Sequence, residues 1–159
     1  MSELRLRAAA RAIVIDEEDR VLLVRFDFPG GRRVWATVGG GLEDGETHED
    51  AVRRELKEEA GLADVELGTP VWKRTHVFEL GIQWNGQTEL YFLVRTTAFE
   101  PRPQHSWAQL NAEGVTEIRW WTFDEIEQSE ELFAPSRLGR LLRELLQHGP
   151  SSEPIDVGV

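Results

Sequence analysis

The chain has 159 residues, 40% of them hydrophobic, which suits one ordinary domain with a buried core. Its net charge of −11 disfavours non-specific binding to duplex nucleic acid, which needs many Lys and Arg set against phosphate. Cysteine is absent, so disulfides, thiolate metal sites and cysteine nucleophiles are excluded and any metal must sit on oxygen or imidazole.

No stretch reaches the roughly 18 apolar residues of a membrane span, and the N-terminus is charged where a signal peptide needs an apolar centre. A cytoplasmic protein without membrane partners is expected. Residues 1–150 read as a single domain and 151–159 as a flexible tail.

In chain order, Ala8 to Ile15 and Val21 to Phe26 are apolar, β-branched runs flanking a polar turn, which predicts an opening hairpin. Pro29-Gly30-Gly31 breaks the chain, and Val34 to Val38 forms a short strand before the glycines Gly39 to Gly41. Thr47 suits a helix N-cap, Glu49 and Asp50 its first turn, and Gly61 its left-handed end, so a helix is predicted at about 48–60. Val71 to Trp84 and Gln87 to Ala98 form a ribbon turning at Asn85-Gly86, the strongest short hairpin signal. Phe78, Leu80, Ile82 and Trp84 share one face of the first strand, and Leu90, Phe92 and Val94 share one face of the second. Glu100 to Gly114 reads as a loop, Ile118 to Thr122 as a strand, and Thr122 to Glu125 as the capping box of a short helix. Pro135 opens a final helix with Leu138, Leu141, Leu142, Leu145 and Leu146 on one face, stopped by Gly149-Pro150. This irregular alternation predicts an α+β or α/β/α arrangement with a mixed sheet between helices.

The informative segment is Gly39 to Leu62. Glu55, Glu58 and Glu59 stand at i, i+3 and i+4, within an arc of roughly 100° on one helix face. Like charges at these spacings destabilise a helix by a few tenths of a kcal/mol per pair. A hard divalent cation offsets this, since Mg²⁺ prefers carboxylate oxygen and keeps positions for water and phosphate. Val52, Leu56 and Ala60 form the adjacent apolar face, so one helix serves both core and site. The glycines before it let backbone approach a ligand or metal closely. Arg25, Arg32, Arg33, Lys73 and Arg74 are candidate cations for substrate phosphates, and the tryptophans are candidate stacking surfaces. The four histidines show no metal-ligand spacing.

The segment resembles the signature of the Nudix hydrolase (MutT-like) family: glycine, five residues, Glu, seven residues, Arg-Glu, an aliphatic, one residue, Glu-Glu, one residue, Gly and an aliphatic. Gly40, Glu46, Arg54, Glu55, Leu56, Glu58, Glu59, Gly61 and Leu62 fill every fixed position. The resemblance implies an α/β/α sandwich with a mixed sheet, and hydrolysis of a nucleoside diphosphate derivative with Mg²⁺ or Mn²⁺. It further implies that Glu58 and Glu59 are principal metal ligands, that Glu55 is a further ligand or the base, and that the Gly39 carbonyl coordinates too. Glu46 and Arg54 would pair to hold the loop, with Gly39, Gly40, Arg25 and Arg33 toward substrate. A glutamate from a later loop often joins such sites; Glu117 is favoured here over Glu113 as a metal ligand. Val38 stands where many members carry proline.

Marks of two subfamilies are missing: Val77 falls where ADP-ribose hydrolases carry a proline, and Glu79 where dinucleoside polyphosphate hydrolases carry a tyrosine. A nucleoside triphosphate pyrophosphatase is therefore expected by elimination. The alternatives are a dinucleoside polyphosphate or nucleotide-sugar hydrolase, or a non-catalytic nucleotide-binding module of the same fold. The expected partner is a small nucleotide-like diphosphate; relatives are often homodimers, but no interface is legible.

Overall fold

The computed structural model describes residues 3–80 and 83–159, with side chains throughout except at 78–80. The strands are β1 (Leu6–Ile15), β2 (Arg20–Asp27), β3 (Arg33–Gly41), β4 (Trp72–Leu80), β5 (Trp84–Arg95), β6 (Val115–Thr122), β7 (Leu132–Ala134) and β8 (Ile155–Asp156). They form one mixed sheet in the order β6-β2-β3-β1-β5-β4-β8, with β7 paired to β3. The β1–β5, β3–β7 and β4–β8 pairs are parallel and the others antiparallel. The helices are α1 (His48–Glu55), continued by a π-helical turn at Leu56–Ala60, then α2 (Trp107–Ala112), α3 (Phe123–Gln128) and α4 (Leu138–His148).

Strand alternation divides the core between the two faces of the sheet. On one face Ile13, Ile15, Trp72 and Tyr91 pack with Ile126 of α3 and Leu138, Leu142 and Leu145 of α4. On the other, Ala10, Ala12, Val14, Phe92 and Val94 pack with Ala51 and Val52 of α1, Leu56 and Ala60 of the π turn, and Leu110 of α2. Helices thus cover both faces, and the fold is the expected α/β sandwich around a mixed sheet.

One topological detail builds the site. Along β3, residues from Arg33 to Thr37 pair with β2, whereas Val38 to Gly41 pair with β1. The β2 pairing ends at Thr37, and beyond it the Gly39 N–H donates to the Glu59 carboxylate (2.9 Å). The glycine end of β3 therefore meets the helix that follows it.

Several predicted boundaries move. β1 and β2 form a hairpin only at its tip, Ile15↔Val21, because β1 spends its length against β5 and β3. Asn85-Gly86 is not the β4–β5 turn but lies within β5. Asn85 exchanges bonds with the Arg5 and Glu3 backbone, and a Cβ on Gly86 would stand 2.7 Å from the His76 carbonyl oxygen, so tight pairing on both sides claims this dipeptide. Of the expected alternating face on β4, Ile82 and the side chains of Phe78 and Leu80 lie outside the described residues, while Leu90, Phe92 and Val94 do share one cluster. The expected loop before Gly114 holds α2, whose N-terminus is closed by a Ser106–Gln109 capping box. The expected flexible tail carries β8: the Ile155 and Val157 N–H groups donate to Val71 and Lys73 carbonyls (both 3.0 Å), and Val157 is buried in the core. Among the described residues no helix is long and apolar enough to cross a membrane.

Candidate active site

The three glycines at the end of β3 are each required by a different neighbour. A Cβ on Gly39 would overlap the Ala10 carbonyl oxygen of β1. On Gly40 it would stand 2.7 Å from a Glu55 carboxylate oxygen, and on Gly41 2.8 Å from Arg7 Nε. Successive positions of a strand face opposite ways, so Glu55 closes on one face of this segment while Arg7 and Arg11 lie on the other.

The helix that supplies the glutamates starts at Thr47, whose hydroxyl accepts from the Asp50 N–H while the Asp50 carboxylate accepts from the Thr47 N–H. Its second half is not α-helical. From Leu56 the chain widens into a π turn, a rare feature concentrated at functional sites, which re-aims Glu58 and Glu59 relative to Glu55. The turn ends at Gly61 in the left-handed region (φ 72°), where a Cβ would collide with the Arg102 carbonyl oxygen. The incoming segment satisfies its last carbonyls: N–H groups of Arg102, Gln104 and His105 donate to Ala60, Lys57 and Glu58 (3.0–3.2 Å). His105 also brings Nε2 to 3.5 Å from Glu58.

Arg54 is the hub of the charged groups. Its guanidinium grips Glu46 through two parallel bonds (2.8 and 3.0 Å), donates to the Gly41 carbonyl (3.0 Å), and reaches Glu55 (2.9 Å) and Glu58 (3.1 Å). This fork ties the loop of Glu46 to both β3 and the helix. It also holds the Glu46 carboxyl below its ordinary range.

Glu55 and Glu59 are buried carboxyls, at 8% and 2% exposure, next to one another. Burial pushes both above the ordinary carboxylate range, and Glu59 furthest. Mutual repulsion adds to the effect on Glu59, and the charge of Glu113 raises both. Glu113 is the C-cap of α2, so the helix missing from the sequence reading is what carries it there. Glu117 is placed elsewhere: it pairs with Arg25 (3.2 Å) on β6, level through Arg25 with Trp35. Trp35 is four residues from Gly39, about 13 Å of extended strand. Arg25 is committed to Asp27 as well as Glu117, and Arg33 stands exposed at the far end of β3. Thus Glu46, Arg54, Glu55, Glu58, Glu59, Gly39 and Gly40 come together, while Glu117, Arg25 and Arg33 do not join them.

The donor set suits a hard divalent cation. Two carboxyls held close together in a low-dielectric setting with a third nearby favour a cation, and the donors offered are carboxylate oxygens with the His105 imidazole beside Glu58. Among the described residues no three acidic or imidazole side chains already enclose one point, so the carboxylates would have to close on an ion. Arg54 now occupies oxygens of Glu55 and Glu58, and Arg11 donates to the Gly39 carbonyl (3.3 Å).

Sequence reasoning passed over Arg7, Arg11 and Glu89. Arg11 and Arg74 both bind Glu89 (2.6 and 2.8 Å), and Tyr91 donates to it. Burial alone would raise the Glu89 carboxyl, but the two guanidiniums hold it down at about 2. The available signal was alternation: Arg7 and Arg11 on β1, Gln87 and Glu89 on β5, and Arg74 on β4 share a face that only the strand order assembles. The tryptophans are largely structural. Trp35, Trp72 and Trp121 are core, Trp120 donates to the Phe99 carbonyl (2.9 Å), and Trp107 is half exposed on α2.

Comparison with known proteins agrees with this geometry. The NUDIX domain family profile matches residues 5–145. The chain is 34% identical over 128 residues to an RNA pyrophosphohydrolase of Sulfurovum sp. (strain NBC37-1), covering 74% of this chain and 77% of that protein. It is 59% identical over 67 residues to the nucleoside triphosphatase NudI of Enterobacter sp. (strain 638), a match covering 42% of this chain and 45% of that one. The MutT protein of Methanosarcina mazei Go1 superposes with a TM-score of 0.66 at 19% identity, over 95% of this chain and all (100%) of that one.

Proposed function

This chain belongs to the NUDIX domain family and is a pyrophosphohydrolase acting on nucleotide derivatives, and on that premise we propose that it cleaves nucleoside triphosphates in a Mg²⁺- or Mn²⁺-dependent reaction. The observation that carries the reading is the placement of buried Glu55 and Glu59 at the glycine end of β3, where the Gly39 N–H donates to Glu59, beside Glu58 and the Arg54 fork. The local similarity to a nucleoside triphosphatase favours that substrate class. The relative named for RNA supports a second reading, a triphosphorylated RNA 5′ end.

Glu58, Glu59 and the Gly39 carbonyl would hold the cation, with Glu55 beside them. When bound, the cation would supply positive charge against the phosphate oxygens and lower the pKa of water. Glu55 or Glu113 takes a proton from the attacking water as its oxygen bonds to phosphorus. The P–O bond to the departing diphosphate breaks, with its electron pair leaving on the diphosphate oxygen. Arg54, fixed by Glu46, keeps Glu55 and Glu58 oriented throughout. No covalent intermediate is needed.

The test is a panel of ribo- and deoxyribonucleoside triphosphates, dinucleoside polyphosphates, nucleotide sugars and a triphosphorylated oligoribonucleotide, each assayed with Mg²⁺, Mn²⁺ or EDTA. Release of nucleoside monophosphate and pyrophosphate, dependent on metal, is expected from at least one triphosphate. Binding of nucleotides without turnover of any panel member would overturn the reading in favour of a sensing module.

A further inference from the structure

The buried face shared by β1, β4 and β5 changes character along its length. Toward Ile13, Ile15, Trp72 and Tyr91 it is apolar and covered by α4. Toward Arg7 it holds three guanidiniums, Arg7, Arg11 and Arg74, and one carboxylate, Glu89. Glu89, 2% exposed, is shared between Arg11 and Arg74. Gln87, 5% exposed, donates its amide N–H to Glu89 (3.0 Å), which fixes its amide oxygen as acceptor for Arg7 Nε (2.9 Å).

Arg7 therefore ends a chain of fixed groups without a counter-ion of its own. Among the described residues it makes no ion pair; its one side-chain partner is neutral Gln87. The network carries three positive charges against one negative, in a setting where unpaired charge is costly. The Arg7 guanidinium lies where a Gly41 side chain would be, on the face of the glycine segment opposite Glu55, and across that side-chain-free segment the charge of Glu55 acts on Arg7 as that of Glu59 acts on Arg11. Neither arginine forms an ion pair with those glutamates. A planar donor whose two terminal nitrogens bond none of the described residues, partly desolvated and pre-oriented by a buried amide, suits an oxyanion with several acceptors.

We propose that Arg7, held by Gln87 and backed by Arg11, receives a phosphate group of the substrate at the β3 glycines, on the side of that segment opposite the glutamates of the helix. This rests on the reading that the substrate is a polyphosphate, and it adds a substrate-binding residue that lies outside the signature segment. Arg7 acts on binding more than on the chemical step. Arg7 is only half-buried and ends the network, so the fold is expected to tolerate Arg7→Gln.

The experiment compares wild type, Arg7→Gln and Arg7→Lys by calorimetric titration with inorganic pyrophosphate in EDTA at low ionic strength. Thermal melts and steady-state kinetics on the best nucleotide of the panel are run alongside. Arg7→Gln is expected to bind pyrophosphate about 10- to 100-fold more weakly, the range of one charge-assisted contact, with Arg7→Lys between it and wild type. The same variant should raise KM by a similar factor with kcat changed far less, and melt with wild type. Equal binding by wild type and Arg7→Gln, or no binding by wild type, would overturn the assignment. Should Arg7→Gln melt early, Arg7→Lys decides: unchanged affinity and KM with lysine, and no response of wild-type affinity to salt, would likewise overturn it. Weakened pyrophosphate binding without turnover of any panel substrate keeps Arg7 and refutes the catalytic reading; turnover with unaltered affinity and KM in Arg7→Gln does the reverse.

Discussion

Glu59 is 2% exposed beside Glu55 and near Glu113, with the Gly39 N–H as a donor to its carboxylate. Its carboxyl lies well above the usual 4.5, so the folded chain holds this proton more tightly than the unfolded one. Ionising it as pH rises therefore costs stability. Glu59→Gln removes that cost and keeps an acceptor for Gly39. It is expected to raise the melting temperature at pH 8 in EDTA, by about 2–4 °C for each kcal/mol relieved, while abolishing turnover. A variant that melts lower in EDTA would show that Glu59 serves the fold rather than the site. Glu89 behaves oppositely. Its folded-state pKa of about 2 lies below the usual 4.5, so its contribution is complete above pH 4.5 and is lost as pH falls toward 2. Glu89→Gln would leave Arg11 and Arg74 buried without a carboxylate, at a cost of about 3–5 kcal/mol. Chemical denaturation from pH 2 to 7 is expected to show a flattened acid limb in this variant.

At the scale of elements, the signature helix was legible because everything that makes it is local. Thr47 caps it, Gly61 ends it, and Val52, Leu56 and Ala60 face the core as their spacing implies. The capping box at Thr122 also held, and α3 begins at the next residue. The π turn was not legible, since it depends on the Arg102–His105 segment meeting the carbonyls of Lys57, Glu58 and Ala60. Nor was the placement of Glu113, whose charge bears on Glu55 and Glu59. That placement turns on α2, whose Ser106–Gln109 box was present in the sequence but hidden among prolines and mixed polarity. Asn85-Gly86 misled for a related reason: a turn dipeptide was claimed by pairing with a strand some eighty residues earlier in the chain. Gly61→Ala tests the docking of the π turn. Its methyl would meet the Arg102 carbonyl and force a left-handed alanine, so a loss of about 1–3 kcal/mol is expected in urea denaturation. Activity should fall further than stability, because Glu58 moves with the displaced turn.

For the whole molecule, the sheet brings together residues far apart in the chain: β1 supplies Arg7 and Arg11, β3 the glycines, and β5 Gln87 and Glu89. The C-terminal segment completes the same sheet, with β8 on β4 and Val157 in the core. Deleting residues 151–159 uncovers Val71 and Trp72, and burial of Val157 alone accounts for about 1.5–3 kcal/mol. The truncated chain is expected to unfold at lower urea by at least that margin, yet to keep its KM, because β5 and β4 stand between β8 and the β1–β3 glycine segment. The catalytic reading itself stands or falls on turnover of the best triphosphate substrate by Glu58→Gln and Glu59→Gln with saturating Mg²⁺, both variants confirmed as folded. A drop in kcat of about 100-fold or more in each is expected. Wild-type turnover by both folded variants would contradict it.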